Sequence, residues 1–303
     1  MLSKKKIICP ENLLKIAKSK GIAKSAIVNA GTGVIMESAK QASDLNLIQP
    51  VFIGDKVLIN KCANDLKWDI SKYETIHESN ENSTAPIAAR LASEGKVKII
   101  VKGHIHTDVL MKAVLKRDLN LIGKKRLSHI WHMTLDKKDK PFIITDGALN
   151  VLPKLETKMH ILKNSVDFAK RIGIKRPKVS ILSATEEVLE SMPSSLEADQ
   201  ITKRAKSEGI DADVFGPLAF DNSVSEQAAK IKKIKNTVAG KTDILLVPNV
   251  ETGNALVKMM IHFMGSCAAG VVVGGKVPVV ITSRSDDPTA RLASIAAAVV
   301  ALD

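Results

Sequence analysis

Residues 97–117 read Val-Lys-Ile-Ile-Val-Lys-Gly-His-Ile-His-Thr-Asp-Val-Leu-Met-Lys-Ala-Val-Leu-Lys-Arg. A short β-branched run, Val97 to Val101, meets a glycine, and the chain then takes up helical spacing from Val109 to Arg117. The same grammar recurs along the chain. Strands are expected at Ala26 to Asn29, Val51 to Ile53, Phe142 to Thr145, Val179 to Leu182, Ile244 to Val247, Gly270 to Val273 and Val277 to Ile281. Helices are expected at Val34 to Leu45, Thr84 to Glu94, Leu155 to Arg171 and Ser223 to Lys235, and from Pro288 to Leu302, where proline suits a first helical turn. Repeated strand–helix units mean an α/β protein with mainly parallel sheets. No repeat of 20 to 50 residues and no low-complexity linker interrupts the order.

The chain has 303 residues, 45% hydrophobic and 25% charged, enough for two compact units with sizeable cores. Leu149 to Lys154, between a strand and a long helix, is where a domain crossing is expected. The apolar stretches Val271 to Ile281 and Leu292 to Leu302 are too short or too interrupted to cross a membrane. Lys4 to Lys6 lead into Ile-Ile-Cys-Pro-Glu-Asn, which offers no apolar core for a secretion signal. Three cysteines, Cys9, Cys62 and Cys267, form no CxxC pair and no disulfide framework, so a reducing, cytoplasmic setting is expected. A formal net charge of +13 favours anionic partners. Nucleic acid is not expected among them, because the basic residues are scattered and aromatics make up only 3% of the chain.

Several familiar chemistries lack their residues. Gly31-Thr32-Gly33 opens a helix after a strand, but Met36 stands where a dinucleotide fingerprint needs a third small residue, so a tight turn with modest ligand contact is expected. There is no GxxxxGK[ST] phosphate loop and no G-x-S-x-G elbow. His104 and His106 share one side of an extended segment, without the further ligands a metal would need. In that loop Lys102, Gly103 and Thr107 carry more weight: glycine allows close backbone approach, and the ammonium and hydroxyl can bind an anion. Three further polar loops follow apolar strands. They are Asp146-Gly147-Ala148-Leu149-Asn150, Gly216-Pro217-Leu218-Ala219-Phe220-Asp221-Asn222 and Pro248-Asn249-Val250-Glu251-Thr252-Gly253-Asn254. Turns and helix caps use the same residue types, but four such loops in one α/β chain favour a site. Finally, Val277-Pro278-Val279-Val280-Ile281-Thr282-Ser283-Arg284 is a strand ending in hydroxyls and a guanidinium, whose planar fork suits phosphate oxygens.

At these loops the sequence resembles the phosphate acetyltransferase and phosphate butyryltransferase family, most clearly from about residue 80 onward. The resemblance implies two α/β domains with a cleft between them, similar to isocitrate and isopropylmalate dehydrogenases. Residues 1–148 and 285–303 would form one domain and 149–284 the other, usually in a homodimer. It implies reversible acyl transfer between coenzyme A and inorganic phosphate, acetyl or alternatively butyryl, without metal or prosthetic group. Ser283 and Arg284 match the family's Ser-Arg pair. Ser283 is expected to hydrogen-bond near the thiol and carbonyl and Arg284 to hold the phosphoryl group, while Lys102, Gly103, Thr107, Asp146, Asn150, Asn222, Asn249, Glu251 and Asn254 bind substrate. One departure stands out. Family acetyltransferases often carry an Asp seven residues beyond the Ser, proposed as thiol base, whereas this chain has Ala290 followed by Arg291. Asp286 and Asp287 are candidate bases or helix caps. The difference brings the chain closer to the butyryl branch and to the acyltransferase part of fusions with an enoyl-CoA hydratase; no hydratase is expected before it. A metal- and nicotinamide-dependent dehydrogenase of similar fold, and a non-catalytic coenzyme A or phosphate binder, are the rival readings.

Overall fold

The computed structural model describes residues 2–123, 125–136, 140–282 and 286–302. In chain order the first elements are α1 (Glu11–Ser19), β1 (Ala23–Val28), α2 (Gly33–Asp44), β2 (Ile48–Gly54), α3 (Lys56–Asp65), β3 (Thr75–His77), α4 (Glu81–Ser93), β4 (Ile99–Lys102) and α5 (Thr107–Val114). There follow β5 (Ser128–Thr134), β6 (Phe142–Thr145), α6 (Leu155–Arg171), β7 (Lys178–Leu182), α7 (Pro193–Ser207), β8 (Asp213–Leu218), α8 (Phe220–Val224), α9 (Glu226–Ile231), β9 (Ile244–Leu246) and α10 (Val250–Met264). The chain ends through β10 (Cys267–Val273), β11 (Val279–Val280) and α11 (Pro288–Val300). The fold is mixed α/β and its strands pair mostly in parallel.

Two compact units emerge from the packing. One is built on Lys6–Lys125 and the stretch from Cys267 onward. Its strands lie in the order β3-β2-β1-β4-β11-β10, parallel except for β10 against β11. The order 3-2-1-4 places the point where successive crossovers change direction between β1 and β4, and open α/β sheets hold ligands just beyond the strand ends there. Register brings Val28 beside Lys102 and Val101 beside Val280, so the C-terminal ends of β1, β4 and β11 lie level. α11 closes this unit's core. Every residue from Ala290 to Val300 is buried; all but Arg291 and Ser294 are apolar, and the helix packs on β10, α1 and α2.

The other unit is built on Arg126–Leu135 and the stretch to Ser266, with strand order β5-β6-β9-β7-β8 and only β5 antiparallel to its neighbour. Thr145 pairs with Leu246, Ile181 with Leu246 and Leu182 with Leu218. The loops that follow β6, β8 and β9 therefore share one edge of this sheet.

Three local outcomes differ from the sequence reading. The segment expected as one helix from Ser223 breaks at Ser225, whose extended backbone ends α8 and whose hydroxyl accepts from Ala228 N at 3.2 Å to begin α9. The polar stretch after β9 is helical from Val250, because the Asn249 side chain caps Thr252 N at 2.9 Å. β5 is a strand without an aliphatic run, Ser-His-Ile-Trp-His-Met-Thr, with all seven residues buried.

Candidate functional site

In the first unit the site forms at the switch point. Lys102 ends β4 and is 4% exposed; its Nζ donates to the Thr282 carbonyl at 3.2 Å. Gly103 follows because no side chain fits: a Cβ there would lie 2.0 Å from the Val28 carbonyl oxygen. Thr282, which continues from β11, is held a second time. Arg291 Nη1 donates to its hydroxyl at 2.8 Å, and Arg291 Nε donates to the Asp286 carbonyl at 3.3 Å. Burial lowers the Arg291 pKa from its ordinary value and Asp286 works against that shift, yet a guanidinium stays charged in any protein environment. Asp287 caps α11 by accepting from Thr289 N at 2.8 Å, while Asp286 stands half-buried beside it. Thr107 is exposed at the first residue of α5, next to exposed His104 and His106. Among the described residues no three His, Cys, Asp or Glu side chains are arranged to hold a metal ion. Ser283 and Arg284 lie outside the described residues.

The second unit presents a different cluster. Asp146 is 2% exposed and its carboxylate organises the loop after β6. Oδ1 accepts from Ala148 N at 3.0 Å and Leu149 N at 2.9 Å; Oδ2 accepts from His129 N at 2.9 Å and Asn150 Nδ2 at 2.6 Å. Asn150 also donates to the Leu127 carbonyl at 3.0 Å. The start of α10 rests on this loop. Val250 N donates to the Val151 carbonyl at 2.9 Å, Asn254 Nδ2 donates to the Gly147 carbonyl at 3.3 Å, and a Cβ on Gly253 would come within 2.7 Å of Gly147 Cα. Both glycines are needed for that approach. Asn249 spends its side chain on the cap, whereas Glu251 and Asn254 are exposed on the first turns of the helix.

Asn222 stands apart from these residues. It is fully buried, and its Nδ2 donates to Glu186 Oε2 at 3.2 Å. Lys232 pairs with the same carboxylate at 2.9 Å and holds it below the usual carboxylate range. Asn222 Oδ1 is buried without a partner. Asp146, Asn150, Asn249 and Asn254 thus come together, Lys102 and Gly103 meet Thr282 and Arg291 in the other unit, and Asn222 belongs to its own network.

Sequence reasoning did not assign roles to Arg291, His129, Glu186 or Lys232. His129 flanks Asp146 on a fully buried strand, where desolvation pushes its imidazole down to about 4 against the pull of that carboxylate. No local pattern marks it, since an isolated histidine between Ser128 and Ile130 has no periodic signature.

With the geometry in view, comparison with known proteins decides the family. Residues 73–299 match the family described as "Phosphate acetyl/butaryl transferase". The chain belongs to this family. Among its curated relatives, a phosphate acetyltransferase of Rhizobium meliloti is 35% identical over 289 residues, covering 95% of this chain and 92% of that protein. A phosphate butyryltransferase of Clostridium acetobutylicum is 36% identical over 291 residues, 95% of this chain and 96% of the relative. Among solved structures, a branched-chain phosphotransacylase from Enterococcus faecalis V583 superposes with a TM-score of 0.80 at 32% identity, over 92% of this chain and 100% of that one. The matched range in this acyltransferase family includes every residue of the two strand-end clusters.

Proposed function

We propose that the chain is a phosphate acyltransferase that moves a short acyl group reversibly between coenzyme A and inorganic phosphate, acetyl-CoA and phosphate giving acetyl phosphate and coenzyme A. Butyryl is the alternative acyl group. The observation that carries this reading is the match, at 35–36% identity across 95% of the chain, to relatives named for those two activities. The wider reading adds a cytoplasmic homodimer of two α/β domains, of the kind found in isocitrate and isopropylmalate dehydrogenases.

The chemistry asks little of a cofactor. In the direction of thioester synthesis the thiol sulfur attacks the acyl carbon, the carbon–sulfur bond forms, the carbon–oxygen bond to phosphate breaks, and the thiol proton passes to a base. A thiol of pKa near 8.5 is only about a few per cent thiolate at neutral pH, so a base helps by roughly 10²- to 10⁴-fold. Phosphate already leaves well, so the remaining work is orientation and charge stabilisation. In this proposal Arg284 takes the phosphoryl oxygens and Ser283 hydrogen-bonds by the thiol and carbonyl. Lys102, Gly103 and Thr107 meet an anionic part of a substrate at the β4 end. Asp146, Asn150, Asn222, Asn249, Glu251 and Asn254 are the other proposed substrate residues, those with committed side chains acting by shaping their loops. The +13 balance suits two polyanionic substrates. The base is unassigned. With Asp287 used as a cap, Asp286 is the nearer candidate.

The test mixes the protein with coenzyme A and acetyl phosphate, then butyryl phosphate, and follows thioester formation and phosphate release together. Turnover without added metal or nicotinamide is expected; a strict requirement for either favours the dehydrogenase reading. Arg284→Ala should lower turnover by about 10²-fold or more while leaving the urea unfolding midpoint in place. Unchanged turnover removes Arg284 from the mechanism.

A further inference from the structure

α10 is an apolar helix that its own unit leaves mostly bare. Nine of its fifteen residues are apolar, yet only Gly253 and Val257 are buried. A helix of this composition ordinarily spends its apolar stripe on a core. Here Met259, Phe263 and Met264 are 43%, 57% and 41% exposed, and beside them α8 leaves Phe220 and Val224 open at 40% and 42%. Phe142, Phe220, Val224, Leu256 and Met260 line a groove of about 410 Å³, in which the polar lining residues among those described are Lys140 and Thr242. The Lys140 ammonium is paired with the Asp243 carboxylate, so the groove carries little net charge.

Area, charge and spacing together select the occupant. The five open side chains present roughly 400 Å² of apolar surface, close to the apolar share of the about 800 Å² that each partner brings to a stable interface. A polyanion, which a chain of charge +13 otherwise attracts, meets in this groove only a lysine already paired. Two copies of the same cationic chain repel, and a nearly neutral apolar face is where that repulsion costs least. Met259-Met260 and Phe263-Met264 have the same spacing read from either end, which suits the self-complementary patch of a two-fold contact. The other end of the same rigid helix shapes the candidate site. Val250 N donates to the Val151 carbonyl at 2.9 Å, Asn254 Nδ2 donates to the Gly147 carbonyl at 3.3 Å, and Gly253 packs against Gly147. We infer that a second copy of this chain covers the bare side of α10, and that this contact holds the helix's first turn against the loop after β6. The coupling to activity rests on the acyl transfer proposed above. The inference goes beyond the homodimer of that reading by naming the face and by tying the contact to the site.

Sedimentation equilibrium tests the docking. The unaltered chain at about 10 µM should sediment at twice the 32.7 kDa of one chain. Met259→Glu and Phe263→Glu each place a carboxylate where the isolated fold is open to water, so urea midpoints measured on dissociated protein should agree, while dissociation of the pair should become roughly 100-fold easier or more. Ile22→Glu, at an equally open apolar residue of the other unit, should leave the mass unchanged. In the dissociated variants the amides of Val250 and Gly253 should exchange about tenfold faster or more, and kcat per chain should fall about tenfold as the first turn loosens. A chain that stays at 32.7 kDa overturns the self-docking, and its pelleting with phosphatidylglycerol vesicles would assign the face to lipid instead. A pair that survives both substitutions places the contact elsewhere and overturns it too. Dissociated variants with unaltered exchange and unaltered kcat overturn the coupling. If the unaltered protein turns over neither acyl phosphate, the proposed function fails, while mass and exchange still decide whether a second copy covers α10.

Discussion

Replacing Asp146 by asparagine tests how the loop after β6 is built, and the cost can be worked bond by bond. The carboxylate receives four N–H donors, from Ala148 and Leu149 on Oδ1 and from His129 and Asn150 on Oδ2. An amide has one oxygen. Placed at Oδ1 it keeps the two turn bonds, and its NH2 then faces two groups that also donate. The backbone N–H of His129 is left buried without an acceptor, while Asn150 retains the Leu127 carbonyl. An unsatisfied buried donor costs about 1–3 kcal/mol, so Asp146→Asn should lose about 2–6 kcal/mol. With a urea slope of about 2 kcal/mol/M, the unfolding midpoint of this unit should fall by roughly 1–3 M. Hydrogen exchange locates the damage: the Ala148 and Leu149 amides should stay protected while the His129 amide becomes labile. A loss under about 0.5 kcal/mol, the range of an ordinary surface change, refutes the view that the loop is organised around a charged acceptor.

Two other perturbations follow from burial and close approach. Gly103→Ala would put a methyl 2.0 Å from the Val28 carbonyl and 2.7 Å from that of Asn29, forcing β1 and β4 apart at a cost above about 3 kcal/mol. Gly33→Ala, with nothing within 4 Å, should shift stability by less than about 1 kcal/mol; equal urea midpoints for the two variants would refute the close approach. Burial pushes the His132 imidazole down to about 4, below the roughly 6.5 of an unfolded chain. The unfolded state then binds more protons between those values, so its contribution is complete above about pH 6.5 and about 3 kcal/mol is lost as pH falls toward 4. His129 adds a loss of the same sign. His132→Leu should flatten that acid limb in urea titrations at stepped pH, and an unchanged slope counts against a neutral buried imidazole.

The parts of this fold that were legible in the sequence are those whose signal is local. Phe142–Thr145 and Leu155–Arg171 end where they were expected to end, because aliphatic runs and helical spacing there need no distant partner. β8 escaped because its Gly216-Pro217 reads as a turn. Gly216 is instead dictated by Ile181, whose Cβ and carbonyl oxygen would both lie 2.7 Å from a side-chain carbon at that position. Gly253 likewise looks like a helix breaker within α10, and is there because Gly147 passes against it. In the candidate site, Lys102 and Gly103 stood out because a strand ends and a glycine follows. Arg291 did not, since its task depends on reaching back nine residues to Thr282, a distance no periodic pattern encodes. Asp146 and Asn150 were picked out as substrate residues, and the structure shows the bonds they make within their own loop.

The interleaving of the two units has a consequence for how the protein comes off the ribosome. β4 pairs with β11 along one edge and with β1 along the other, but some 180 residues, from Lys102 to Val279, separate its synthesis from that of β11. At 5–20 residues per second the wait is on the order of ten seconds. During it Ile99-Ile100-Val101 presents an open row of amides and carbonyls, of the kind that recruits stray strands from neighbouring nascent chains. The stretch Arg126 to Ser266 carries all five of its strands in one continuous run, so it can close first. The half that holds Lys102 must stay unfinished until translation reaches the final helix.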